Sequence, residues 1–376
     1  MAFLIFPFAL LILAVAEQKG LFKISVIITA LYFACTFGYG YDWINYRDTY
    51  DMLHNPTYGY FFAEPGLYWL MLAGSYIGLS YGMFSFFVTL FIYYAVYKFC
   101  NRLNNPSAAF FTVFAFLGYF VFTEWVRQGL AIAIIMLSIK HHEKDHYVRF
   151  VLSVAVACLF HASAVVALSY LLISSKSRLR MKMFLIIASG VMFSAMLIIY
   201  NPSVTENVPF IGAKVAAYSR LLLENDDGFW KYVLSSKVLF AYLIILMMLY
   251  RQARNYNSLF SAISAMYFMF LTRFVSVLVR VGYIMAPVFV VSMDEFLTDK
   301  GRGFHTQFSK LIYLGLIFGV STIPVWNAVF WEAARSNVNI ISDSSEIERE
   351  IVNKCNIINK YYDYNVIERC RWKDGT

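Results

Sequence analysis

The chain has 376 residues, of which 60% are hydrophobic, 19% are aromatic and only 14% are charged. A soluble domain has about 25% charged residues. A soluble fold, which would have to hide this much apolar surface from water, is therefore excluded. The net charge of +8 does not indicate nucleic acid as a partner, because the basic residues lie in short loops between apolar runs and there set membrane topology.

Apolar runs follow one another along the chain, and most are close to the roughly 17–25 residues of a spanning helix. The longer runs are 2–16, 21–38, 82–98, 107–122, 125–140, 183–200, 232–250, 257–273, 278–297 and 311–330. The shorter runs are 66–79, 147–160 and 162–174. This pattern predicts an all-α, polytopic membrane helical bundle with about 11–13 transmembrane segments.

The basic residues predict the orientation of these segments. Six loops contain 16 Lys and Arg residues in total: 17–23, 98–105, 140–149, 174–182, 251–254 and 298–310. Because Lys and Arg are in excess on the cytoplasmic side, the segments 39–65 and 201–231 are predicted to be outer loops. We expect residues 1–330 to form a transmembrane domain, and residues 331–376 an extracytoplasmic tail that is helical around 343–360.

The run 66–79 does not fit a simple crossing. Residue 65 is predicted outside and residue 98 inside, yet two apolar runs lie between them. The run 66–79 is short and contains three glycines, so it is predicted to be a re-entrant half-helix covered by protein or lining a cavity. The runs 147–160 and 162–174 are also short, and we expect a hairpin with His161 at a shallow outer apex.

Cysteine and motif patterns limit the chemistry. Cys355 and Cys370 lie in the predicted outer tail. There they can form a disulfide or remain two free thiols, and the sequence leaves both alternatives open. The sequence lacks a dense carboxylate cluster and a Gly-rich phosphate loop. We therefore predict no metal site and no cofactor.

Several ionisable residues are predicted to converge on the outer side of the membrane. They are Glu64, Arg127, His161, Arg273 and Arg280. Ionisable groups near membrane depth are costly to bury, and they mark function by default. The structural alternatives are that each arginine only reaches the membrane interface, that Glu124 pairs with Arg127, and that His161 is a satisfied core histidine. Because these residues are predicted to lie together, a functional site is favoured over the structural alternatives.

The residue types at this site suit a phosphate-bearing substrate. Arginine is planar, permanently charged and bidentate toward phosphate. A nearby Glu or His can deprotonate an acceptor hydroxyl. An extracytoplasmic site has no ATP, so energy for synthesis must arrive in an activated donor such as a sugar diphospholipid.

Short motifs spread over about residues 40–290 carry a family resemblance. They are Asp42-x3-Tyr46-x3-Tyr50, Glu64-Pro65-Gly66, Arg127-Gln128-x2-Ala131, Phe160-His161-Ala162-Ser163-Ala164 and Arg280-x2-Tyr283. With them the chain resembles the EpsG-like family of bacterial exopolysaccharide and O-antigen polymerases, the Wzy-type enzymes. The tail from about residue 331 lies outside the resemblance.

The resemblance implies an enzyme of the inner membrane with its active site facing the periplasm or exterior. Such enzymes transfer a growing glycan from undecaprenyl pyrophosphate to a hydroxyl of the next lipid-linked repeat unit. By similarity, the expected architecture is a GT-C-like glycosyltransferase that works without metal. Donor and acceptor are then undecaprenyl-pyrophosphate-linked oligosaccharides in membrane lipid, and a chain-length regulator and a flippase are further candidate partners.

The expected roles combine this resemblance with the residue chemistry. Arg127 and Arg280, assisted by Arg273, are expected to bind the donor pyrophosphate. Glu64 is the first candidate for the general base, with His161 as positioning group, and the reverse assignment stays open. A glycan groove is expected from aromatic and acidic residues near the site: Asp42, Tyr46, Tyr50 and Tyr283.

Two other functions fit a polytopic protein with these residues. A flippase or transporter for lipid-linked oligosaccharide would have internal repeats and paired broken helices, and the sequence shows no repeat. A membrane O-acyltransferase would need a histidine in a funnel open to the cytoplasm, whereas the predicted topology puts His161 outside.

Overall fold

A computed structural model describes residues 1–53, 64–173, 176–205, 236–275, 278–299 and 304–361, together with positions 208, 212, 215, 216, 219 and 370. Most of the predicted outer loop 201–231, and residues 54–63 of the other outer loop, lie outside the described residues. The chain divides into two compact units, Met1–Val165 with Lys310–Thr376 and Val166–Ser309, and each is described by itself.

The described residues are mainly α-helical, as the apolar runs predict. In chain order the helices before residue 175 are α1 (Ala2–Val15), α2 (Lys19–Ala34), α3 (Asp42–Met52), α4 (Pro65–Tyr76), α5 (Tyr81–Cys100), α6 (Pro106–Leu117), α7 (Val126–Glu143), α8 (Tyr147–Phe160) and α9 (Tyr170–Ile173). The later helices are α10 (Arg178–Tyr200), α11 (Lys237–Gln252), α12 (Leu259–Thr272), α13 (Val279–Gly282), α14 (Ala286–Thr298), α15 (Phe304–Ser321), α16 (Ile323–Trp326), α17 (Ala328–Arg335) and α18 (Ser344–Tyr361).

Three helical segments of the described chain are long and apolar enough to cross a membrane. They are Tyr81–Cys100, Arg178–Tyr200 and Val279–Thr298. Shorter apolar helices of 10–17 residues are Ala2–Val15, Pro106–Leu117, Tyr147–Phe160, Ala162–Ile173 and Leu259–Thr272. The prediction of one helix over 311–330 is wrong, because α15 ends at Ser321 and Pro324 begins the separate short helix α16, as a ring without an N–H does.

The core of the first unit is aromatic. The ring of Phe3 lies 4.8 Å from the ring of Tyr119 and 5.4 Å from those of Phe33 and Tyr39, measured between centroids. Every residue of α6 is buried. A helix that is apolar on all faces belongs at the centre of a bundle, so α6 is the central helix against which α1 and α2 pack.

The C-terminal tail pairs with an earlier segment of the first unit through a short strand and contains a disulfide. Strand β1 (Thr36–Phe37) pairs antiparallel with strand β2 (Val338–Asn339). The helix predicted near 343–360 is present as α18. Of the two alternatives for the tail cysteines, the structure has the disulfide Cys355–Cys370.

The second unit is built around α12. This helix packs against α10, α11 and α14. Gly282 permits the closest approach, since a Cβ there would lie 2.1 Å from the Thr272 hydroxyl oxygen. Two hydroxyl groups also bind backbone carbonyls across the unit: Tyr170 donates to Ile284, and Ser261 donates to Ile173.

Candidate functional site

Glu64 is placed by the start of α4. Pro65 occupies the first turn of that helix, where its fixed φ is favourable and no N–H is needed. Gly66 follows, and a Cβ at this position would lie 2.9 Å from the carbonyl oxygen of Leu159. The missing side chain thus lets the start of α4 approach the end of α8, and Glu64 comes to lie beside His161.

The Glu64 carboxylate is buried and has three donors. Only 7% of the residue is exposed. Its Oε2 accepts a hydrogen bond of 2.9 Å from Nη1 of Arg127. Its Oε1 lies 2.8 Å from Nδ1 of His161 and accepts a 3.0 Å hydrogen bond from the backbone N–H of Ala162. Charge-assisted bonds of this kind can compensate the burial of a carboxylate.

These contacts set the protonation state of Glu64. Burial raises the pKa of the carboxyl, but the hydrogen bond and charge of His161, the Ala162 N–H and the charge of Arg127 outweigh it and lower the pKa to about 2. A group with such a low pKa is ionised at neutral pH and holds a proton poorly. Glu64 is therefore suited to orient a base, and the geometry favours His161 as the base.

His161 stands between two helices. It follows α8 in extended backbone, with φ −156° and ψ 120°, and the 3-10 helix Ala162–Ser169 begins directly after it. Because a carboxylate only accepts hydrogen bonds, Nδ1 must carry the hydrogen toward Glu64, and whenever the ring is neutral Nε2 keeps its lone pair. Among the described residues Nε2 has no hydrogen-bond partner.

Arg127 enters the cluster from the first turn of α7. The π-helical turn Phe120–Glu124 comes just before this helix, and such turns are frequent at functional sites. Nε of Arg127 donates to the Tyr46 hydroxyl at 3.4 Å, and the guanidinium carbon lies 5.6 Å from the centre of the Tyr46 ring. About 32% of the Arg127 side chain is exposed, so part of the guanidinium can reach a ligand.

The other predicted glycan residues of the first outer loop lie on α3. Asp42 is its first residue and interacts electrostatically with Arg127. Tyr50 is buried, its hydroxyl donates to the Leu79 carbonyl at 2.9 Å, and its ring packs 5.2 Å from that of Phe84. The structure thus brings Asp42 and Tyr46 to Arg127, whereas Tyr50 contacts the turn between α4 and α5.

Arg273, Arg280 and Tyr283 belong to the second unit. The Arg273 guanidinium lies 5.4 Å from the centre of the Tyr242 ring and 5.3 Å from that of Tyr283, and it donates to both hydroxyl groups. Tyr283 is buried. Arg280 is half-buried in α13. The pyrophosphate contacts predicted for the two arginines remain predictions.

Sequence reasoning missed two members of these clusters. The Ala162 N–H that binds Glu64 is a backbone group, and it becomes available because a new helix starts at this residue and leaves its first N–H groups without intrahelical partners. Tyr242, which packs on Arg273, lies 31 residues earlier in the chain. No local pattern in the sequence marks a contact of this length.

Comparison with known proteins gives one match. A family model described as the EpsG family matches residues 20–341 of the chain. This match includes both clusters and strand β2, and it ends before α18. No curated protein matches the chain, and no solved structure matches it.

Proposed function

Since the chain belongs to the EpsG family of exopolysaccharide polymerase-type membrane proteins, we propose that it polymerises undecaprenyl-pyrophosphate-linked repeat units by glycosyl transfer at the outer face of the bacterial inner membrane. The observation that carries this proposal is the buried contact of Glu64 with Arg127 and His161. It joins a candidate base to a phosphate-binding cation. A GT-C-like architecture is part of the proposal.

The reaction needs one proton transfer and one glycosyl transfer. Nε2 of His161 takes the proton of the acceptor hydroxyl while that oxygen forms a bond to the anomeric carbon of the donor glycan. The bond from this carbon to pyrophosphate breaks, and undecaprenyl pyrophosphate leaves with the electron pair. Glu64 holds the imidazole in the required tautomer and stabilises the imidazolium that forms.

Arg127 has two tasks in this reaction. It neutralises Glu64 through Nη1 and approaches Tyr46 through Nε, which fixes the orientation of the guanidinium. Its exposed part would bind the donor pyrophosphate and stabilise charge that develops on the leaving group. Arg280 and Arg273 are proposed as further donor contacts. The carboxylate of Glu64 limits the net positive charge next to the acceptor.

The test is reconstitution. Purified protein in liposomes receives synthetic undecaprenyl-pyrophosphate-linked repeat units, without metal or nucleotide, and products are resolved as a ladder on a gel. The wild type should give a ladder, and Arg127→Ala and His161→Ala should give little or none. His146→Ala is the matched control, because His146 is exposed in the α7–α8 turn. A normal ladder from Arg127→Ala and His161→Ala, or no ladder from folded wild-type protein, would overturn the proposal.

A further inference from the structure

A cavity of the first unit lies beside α3, on the side of Tyr50. It has a volume of about 480 Å³, within the roughly 300–1,000 Å³ of small-molecule sites. Its walls come from α3, the turn between α4 and α5, and the tail after β2. The polar side chains lining it are Arg47, Asp51, Ser75, Ser80, Ser342 and Ser344. We call it the tail groove.

The basic side chain of the tail groove is paired with carboxylates. Arg47 lies 3.3 Å from Asp51 and 3.0 Å from Glu348 of α18, measured between nitrogen and oxygen. Arg47, the only basic side chain among the described residues that line the groove, therefore already has two carboxylate partners. A pyrophosphate or an anionic headgroup would have to compete with them, so the groove favours a ligand without net charge.

The groove suits a ligand with many hydroxyl groups. Four serine hydroxyls and an exposed carboxylate, that of Asp51, can donate and accept hydrogen bonds. Apolar surface is supplied by the same lining, through Phe37, Tyr81 and Ile347. Ligand sites commonly combine an apolar wall with a few placed polar groups. A saccharide has both the hydroxyl groups and the C–H faces that fit such a lining.

The tail groove lies close to the Glu64 cluster, which consists of Glu64 with its partners Arg127, His161 and the Ala162 N–H. Tyr46 of α3 contacts Arg127, and the next residue, Arg47, lines the groove. The two sites are thus separated by one helix, which is about 10–12 Å across with its side chains. A linear glycan with its reacting end at His161 would have to span about that distance to reach the groove.

One wall of the groove lies beyond the family match. The family match ends at residue 341, whereas Ser342, Ser344 and Ile347 line the groove. The matched part of the chain therefore carries the Glu64 cluster, and the part beyond the match adds one wall of the groove.

We propose that the tail groove binds an uncharged saccharide segment of the growing polymer, at a distance from the reacting end, and keeps the chain on the enzyme between additions. This inference rests on the proposed function, because it assumes that a glycan is made at the Glu64 cluster. Its ligand is the polysaccharide itself, and its consequence is the length of the product.

Bulky substitutions in the tail test the proposal. Ser342→Trp and Ser344→Trp fill the groove, and neither side chain makes a hydrogen bond within the described residues. Ile341→Trp is the matched control, since Ile341 lies in the same turn with 88% of its surface exposed and does not line the cavity. The probes are oligosaccharides of one to four repeat units, released by mild acid from the polymer of the producing cells, and inorganic phosphate.

Two measurements follow on the full-length protein. In calorimetry, we expect the two serine variants to bind oligosaccharides at least about tenfold more weakly than wild type and Ile341→Trp. In the liposome assay they should form the first linkage at a rate within about twofold of wild type but give shorter polymers, because a glycan that is held less tightly dissociates sooner.

Unchanged oligosaccharide affinity and unchanged polymer length in both serine variants would overturn the tail groove as a glycan site. Binding of phosphate in place of oligosaccharide, abolished by the same variants, would also overturn it. Absence of any linkage by the wild type would instead contradict the proposed function, and oligosaccharide binding would still report on the groove.

Discussion

Arg127 and Arg273 were predicted to do the same thing, yet their surroundings differ. In the first unit Arg127 contacts a buried carboxylate and a tyrosine, and the carboxylate also binds His161. In the second unit Arg273 lies against the rings of Tyr242 and Tyr283. The first arrangement joins a cation to a proton-transferring group, and the second holds a cation on aromatic faces. The comparison suggests proton transfer at the first and electrostatic or binding work at the second.

The largest expected effect comes from matched changes in the two clusters. Glu64→Gln keeps the size of the side chain but removes the charge that orients His161, so we expect the transfer rate to fall roughly 10²–10⁴-fold, the usual contribution of general acid–base catalysis. Arg273→Lys keeps the positive charge of the second cluster but loses the planar guanidinium that lies on the two rings, and we expect a smaller loss than from Glu64→Gln. Initial rates in liposomes measure both. Equal losses would remove the distinction between the clusters.

Removal of the disulfide tests how far it stabilises the tail of the first unit, without an effect on the second unit. The two cysteines are 15 residues apart, and closing a loop of that size stabilises a fold by about 3 kcal/mol in the chain-entropy model. Cys355→Ser with Cys370→Ser should lower the stability of the tail by up to about that amount. Thermal unfolding and limited proteolysis in detergent give the readout. Arg273 contacts in the second unit should be unaffected.

Gly66→Ala probes the approach of α4 to α8. The added methyl would meet the Leu159 carbonyl, and overpacking of this kind costs about 1–3 kcal/mol. We expect reduced stability and a larger loss of transfer rate than of oligosaccharide binding, because Glu64 moves relative to His161 while the tail groove stays intact. Gly190→Ala is a suitable control, since a Cβ at Gly190 meets no atom within 4 Å. Equal behaviour of the two variants would contradict this role of Gly66.

The smallest expected effect is on the pH dependence of the protein's stability. Burial of Lys354 in α18 lowers the pKa of its ammonium group to about 8, from the 10.5 that is usual for lysine. Between these values the unfolded state binds more protons than the folded state, so stability should rise as pH increases from 8 to 10.5. Lys354→Met should abolish this rise. The difference between the two unfolding curves across that pH range is the measurement, and a parallel pH dependence would argue against a buried ammonium.

The sequence predicted local features of the molecule better than its long-range pairs. Apolar runs predicted α5 and α10, because hydrophobic pattern is a local signal, whereas the hairpin with His161 at its outer apex stays a prediction. The helix break at Pro324 was missed although proline is a helix breaker, since apolar residues continue on both sides of it. The pairing of Thr36–Phe37 with Val338–Asn339 depends on tertiary packing across the whole chain.

Within the candidate site, too, the long-range pairs were harder to predict than the position of each residue. Charge distribution and loop order predicted that Glu64, Arg127 and His161 lie near one another on the outer side, and the structure brings these three together. Which carboxylate pairs with Arg127 could not be decided from sequence spacing. Glu124 is nearer in the chain, but its Oε1 accepts the Tyr41 N–H at 3.3 Å, and Glu64 is the partner of Arg127.

Chemical rescue tests most directly whether His161 is the base that Glu64 orients. His161→Gly leaves a space for free imidazole next to Glu64, and single-turnover transfer between two lipid-linked repeat units is followed in liposomes as imidazole is added. The account predicts a rate reduced by roughly 10²–10⁴-fold that rises with imidazole, while Glu64→Gln shows no rescue. A wild-type rate in His161→Gly without imidazole would contradict it.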